Sequence, residues 1–119
     1  MTEIDPRFAA LQARYRASLA GKRADIEQAW QALCADCSDT ASQAALLAVV
    51  HRLAGSAESY GFDGIGRLAA QLDRQLEPIR GNANPAQRSA ALCAMRDALA
   101  RPIEDLLAEL QRGAAWCPG

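Results

Sequence analysis

The residues of this chain that could do chemistry are one histidine, 14 carboxylates and four cysteines. His51 is the sole imidazole. An imidazole changes protonation near neutral pH, so an unprotonated ring nitrogen is available there as a nucleophile. A phosphoryl group taken onto that nitrogen sits on a labile P–N bond and can be handed on. The sulfur atoms offer a second chemistry. Cys34-Ala35-Asp36-Cys37 is a C-x-x-C, with Cys93, Cys117 and His51 as further candidate ligands. A structural zinc site normally shows two such knuckles or paired histidines, and a redox C-x-x-C normally follows a strand. Neither context is present, and cysteine also serves as a small core residue. A Cys-based metal or redox protein is therefore the weaker alternative. The chain has no Gly-rich phosphate loop and no acidic magnesium cluster, so nothing in it can draw a phosphoryl group from ATP. Any group carried by His51 must come from one partner and go to another.

The element that must position His51 is a helix. Thr40 to Val50 holds no helix breaker, and Gly61 is the first residue that can end the segment. At about 100° per residue, Leu46, Val49, Val50, Leu53, Ala57 and Tyr60 gather on one side as a core-facing stripe. His51 then points nearly opposite, towards water. Its neighbours on that outer face are Ala44, Leu47, Ala48, Ala54, Gly55 and Glu58. A solvated helix face ordinarily carries Lys, Glu, Gln or Arg, whereas this one is reduced to small and apolar groups around one ring. Gly55 costs a helix roughly 0.5–1 kcal/mol relative to Ala, which a closely approaching partner would explain.

His51-x-Leu53-x-Gly55-Ser56-Ala57, followed by Tyr60-Gly61-Phe62 and by Ile65-x-x-Leu68-x-x-x-Leu72-Asp73, resembles the histidine-containing phosphotransfer (HPt) domain of bacterial two-component phosphorelays. The resemblance implies a phosphorelay intermediate. His51 would accept a phosphoryl group from a receiver-domain aspartate, as on a hybrid histidine kinase, and pass it to the aspartate of a response regulator. It implies a carrier without autokinase activity and without a cofactor of its own, the Mg2+ being bound by the receiver. It gives Asp73 the position whose polar side chain bonds the inner ring nitrogen. Ala48, Ala54 and Gly55 would let a receiver close over the ring, and Leu47 would belong to the docking patch. One departure is that the family usually has lysine three residues after the histidine, where this chain has Ala54. Arg52 and Arg67 are candidates for that charge, though neither points straight at His51 on the helical wheel. The departure keeps a second reading open, a helical module that docks receivers without transfer.

Length and composition bound the rest. The chain has 119 residues, half of them apolar, and a formal net charge of −1. That suits one domain, 1–119, with a sizeable core. It lacks the basic stripe of a nucleic-acid binder. No apolar run approaches the ~20 residues of a membrane span, and the first residues lack the basic and apolar regions of a signal peptide. A cytoplasmic monomer with four reduced thiols is the expectation. Met1 suits a free-standing protein, and a piece of a hybrid kinase would read the same.

Asp5-Pro6 opens a first helix carrying Phe8, Leu11, Tyr15 and Leu19, with Gly21 as a break or kink. Lys22 to Ala35 makes a second, with Ile26, Trp30 and Leu33 as its stripe. Thr40 and Gln43 suit a capping box for the His51 helix. Asp63 is placed to cap the next, which runs to about Glu77 and buries Ile65, Leu68, Leu72 and Leu76. Arg80 to Asn84 reads as a polar loop. Asn84-Pro85 opens a last helix with Leu92, Met95, Leu99, Ile103, Leu106 and Leu110 along one seam, bent at Pro102. Residues 113–119 read as a flexible tail, with Trp116 able to pack back. No segment alternates like a strand. The predicted fold is all-α: an antiparallel up-down four-helix bundle with an additional N-terminal helix, which packs across the bundle or extends the second helix.

Overall fold

The computed structural model describes residues 5–115. Within them are helices α1 (Pro6–Ala35), α2 (Thr40–Ser56), α3 (Asp63–Gln75), the one-turn α4 (Glu77–Arg80) and α5 (Pro85–Ala115), with a 3-10 turn at Glu58–Tyr60 between α2 and α3. The described residues contain no strand. α1 packs on α2 and α5, and α3 packs on the same two, so four helices close a ring around one core. Short connections make neighbours antiparallel. The core is aliphatic: Leu19, Ile26 and Leu33 from α1, Leu46, Val50 and Leu53 from α2, Ile65 and Leu72 from α3, and Leu99, Ile103, Leu106 and Leu110 from α5. The predicted stripes supply it, except that Tyr15, Trp30, Tyr60, Leu68 and Met95 are only half-buried and Phe8 and Leu11 are exposed.

Gly21 does not break the first helix. α1 runs unbroken through it, so the additional N-terminal helix is an extension of the second. A glycine costs a helix interior about 1 kcal/mol, less than the burial of Leu19 and Ile26 on either side of it returns. The Asp5 cap forms as expected, its carboxylate accepting from the Arg7 N–H at 2.9 Å.

Two caps differ from expectation. α2 is capped by Asp39, which accepts from the Ser42 backbone at 3.2 Å. Thr40 is already helical, and Gln43 turns inward to donate to the Cys37 carbonyl and to Ser89 Oγ at 2.8 and 3.0 Å. A carboxylate is the stronger acceptor for free N–H groups, so the residue one earlier wins the cap. Asp63 likewise is the first residue of α3, not its cap. Its charge still lies in the first turn, where the helix dipole favours an anion.

α3 stops at Gln75, and α4 follows after Leu76. Arg80 therefore sits in a helical turn and not in a loop. Pro78 is tolerated because the first turn of a helix leaves its N–H groups without intrahelical partners. Asn84 caps α5, accepting from Ala86 and Gln87 at 2.9 and 3.3 Å. α5 continues through Pro102 and through Gly113 to Ala115, so residues 113–115 are helix and not tail. Gly113 is there for close packing: a Cβ would come within 2.9 Å of Ile65 and 3.0 Å of Leu19. Trp116 and Cys117 lie outside the described residues.

Not all the thiols are reduced. Cys37, in the α1–α2 connection, is disulfide-bonded to Cys93 on α5, with the Cα atoms 5.5 Å apart, while Cys34 is free and exposed.

Candidate functional site

α2 presents His51 because its opposite stripe is committed to the core. Leu46, Val49, Val50 and Leu53 are buried, as is Ala57 just beyond the helix end. The His51 side chain is 67 % exposed. Ala44, Ala48, Gly55 and Glu58 are exposed around it, and Leu47 and Ala54 are half-buried towards the core. A Cβ on Gly55 would meet no atom within 4 Å. Packing within the chain does not require glycine there.

One side of the ring is held. Asp73, from α3, places Oδ2 3.2 Å from His51 Nδ1. An ionised carboxylate only accepts, so Nδ1 carries the proton and, in the neutral ring, the lone pair lies on Nε2. Among the described residues no partner meets Nε2. Asp73 is itself anchored: its Oδ1 accepts from Arg80 Nη2, and Arg80 Nη1 donates to Glu77 Oε2 at 2.9 Å. The result is a chain of four side chains, His51–Asp73–Arg80–Glu77, crossing α2, α3 and α4. Sequence reasoning reached the bond from Asp73 to the ring only through the family resemblance, and it missed Arg80. A signal was present: Glu77 and Arg80 follow Asp73 by four and seven residues, one face of a helix if α3 and α4 are taken as nearly continuous.

The other flank of α2 is braced by α1. Tyr15 hydroxyl and Ser56 Oγ lie 2.8 Å apart, the Tyr15 and Tyr60 rings stack at 4.5 Å, and Gln12 donates to the Tyr60 carbonyl at 2.8 Å. Lys22 Nζ lies 4.6 Å from the Tyr15 ring centre. Burial first, and the nearby Arg52 charge second, hold its ammonium below the usual lysine value. Burial outweighs the Ser56 hydrogen bond at Tyr15 and holds that phenol above the usual value. Arg67 is exposed on α3, and the structure shows no bond from Arg52 or Arg67 side chains to the ring.

The remaining candidates do not join this site. Cys37 is committed to Cys93, and the described residues hold no group of three or more His, Cys, Asp or Glu arranged to take a metal ion. A cleft of about 260 Å³, lined by Gln12, Phe62, Glu109 and Arg112 among others, does not include His51. His51 thus stands on an exposed helix face outside that cleft, where a small molecule would find few walls. Among the described residues no helix is long and apolar enough to cross a membrane.

No curated protein and no solved structure matches the chain. The family model of the Hpt domain matches residues 10–113, from the first turns of α1 to the last turn of α5, and so takes in both His51 and the helices that present it. The chain belongs to the Hpt domain family.

Proposed function

We propose that the chain is a phosphorelay intermediate in which His51 carries the phosphoryl group between two receiver-domain aspartates. Hpt domains are phosphotransfer carriers, not autokinases, and they work with receiver domains. The observation that supports the reading here is the asymmetry of one ring: Nδ1 bonded to Asp73, Nε2 open on a face trimmed to alanine and glycine.

The step runs as an in-line displacement. The Nε2 lone pair attacks phosphorus of the aspartyl phosphate, the N–P bond forms, and the acyl-phosphate O–P bond breaks as the receiver's carboxylate leaves. The ring gains positive charge as it does so. Asp73 accepts a hydrogen bond from Nδ1–H and stabilises that charge as it develops. Reversal onto a second receiver's carboxylate regenerates the neutral ring. The divalent metal belongs to the receiver in this reading, and Leu47, Ala48, Ala54 and Gly55 form the seat on which the receiver closes. In this reading the site of action is the cytoplasm, where a hybrid kinase and a response regulator meet the chain as partners and where the Cys37–Cys93 pair would be held reduced.

Incubation with a receiver domain carrying labelled aspartyl phosphate tests it. Label should move to the wild-type chain and not to His51→Gln. Receiver binding without label transfer would select the non-transferring docking module, the reading that Ala54 keeps open. No transfer and no binding across the host's receivers would overturn both.

A further inference from the structure

We infer that Arg80 is a positioning residue for His51, acting through Asp73, and that it supplies from α4 the positive charge that the outer face of α2 lacks. The inference rests on the carrier reading for its consequence, and on geometry alone for its first half.

An imidazole that is 67 % exposed has little packing to fix its two side-chain torsions. Its one described anchor is the 3.2 Å bond to Asp73, and a single hydrogen bond to a carboxylate that could itself swing would hold it weakly. Here the anchor cannot swing. Asp73 is 18 % exposed and spends its second oxygen on Arg80, which is 28 % exposed and is in turn tied to Glu77. The planar fork of the guanidinium suits this task, since its two terminal nitrogens donate in fixed directions to two different carboxylates. Arg80 thereby sets the plane of the Asp73 carboxylate, and the carboxylate sets which ring nitrogen holds the proton. Position in the chain fits: α4 lies one residue beyond α3, so Glu77, Arg80 and Asp73 ride on nearly one rigid piece.

Charge leads to the same residue. A phosphoryl group arriving at Nε2 brings negative charge towards a ring with a carboxylate already on its far side. On α2 the positions one turn away are Leu47, Ala48, Ala54 and Gly55, and none is a cation. Arg80 is the cation in direct contact with Asp73. With it, Asp73, Arg80 and Glu77 together carry one formal negative charge; without it, Asp73 and Glu77 leave two beneath the ring.

The test uses Arg80→Met, which keeps the aliphatic stem and removes both donors and charge, and Arg80→Lys, which restores the charge without the fork. Thermal melts select folded variants. Imidazole 15N shifts at pH 8 report the ring tautomer with no partner present. The wild type should be mostly the Nδ1–H form, Arg80→Met should move to a mixed population, and Arg80→Lys should fall between. Phosphorylation by phosphoramidate, whose P–N bond breaks as ammonia leaves and the Nε2–P bond forms, should slow about tenfold in Arg80→Met and recover in part in Arg80→Lys. Should Arg80→Met fail to fold, Glu77→Met, which removes only the acceptor that forms the outer tether of Arg80, should move the tautomer in the same direction by less. An unchanged tautomer together with an unchanged phosphoramidate rate would overturn the inference. A wild-type chain that accepts nothing from phosphorylated receivers, while its tautomer still depends on Arg80, would sink the carrier reading and leave the positioning role standing.

Discussion

Gly55 separates what the chain needs for itself from what a visitor needs. A Cβ there would meet open space, so Gly55→Ala should raise stability by about 0.5–1 kcal/mol, the helical preference of alanine. Chemical denaturation measures that gain. Transfer from a phosphorylated receiver should slow in the same variant while phosphoramidate labelling stays unchanged, because only the receiver has to come close. A variant that is stabilised and also transfers normally would remove Gly55 from the docking seat. The outward direction of His51 was legible because the apolar stripe of α2 repeats at helical spacing and leaves the opposite face by subtraction. Asp73 became a candidate through the family resemblance. The spacing of Arg80 from Asp73 was overridden, because their contact depends on α4 being helical, and Pro78 followed by Gly81 reads as a helix end. The first turn accommodates that proline, which is how Arg80 comes to lie on the face of Asp73.

At the scale of elements, the turn that delivers α3 to α2 depends on Gly61. It is the one described residue with positive φ, at 87°, and a Cβ on it would come within 2.8 Å of Gln12 Nε2. Gly61→Ala should cost about 1–2 kcal/mol from the backbone conformation alone, with a further loss if the Gln12–Tyr60 hydrogen bond is displaced. A denaturation midpoint equal to that of the wild type would show that the turn can be closed another way. The helices themselves were readable from periodicity, and their ends less so. The Asp39 cap displaced the Thr40–Gln43 box because two competent capping residues are adjacent and the carboxylate is the stronger acceptor. Gly21 looked like a break because local propensity argues for one, and the packing of Leu19 and Ile26 on both sides overrules it.

At the scale of the molecule, the Cys37–Cys93 disulfide ties the α1–α2 connection to α5 across 56 residues of sequence. Closing a loop of that length removes much of the freedom of the unfolded chain. Reduction, or Cys93→Ser, should therefore lower stability by about 2–4 kcal/mol. Thermal melts with and without a reductant measure it, and coincident melts would show that the pair contributes nothing. Sequence could not choose this pairing, since cysteines distant in the chain carry no mark of their partner. The bundle as a whole was legible, because amphipathic helices joined by short links admit few arrangements. The openness of His51 also bears on how a relay built on this chain would be regulated. Among the described residues nothing forms a lid over a phosphoryl group on Nε2, so in that part of the chain water and every suitable receiver could reach it alike. The flow of signal would then be set by the relative abundance and affinity of those receivers, and the dwell time of the group by its own hydrolysis.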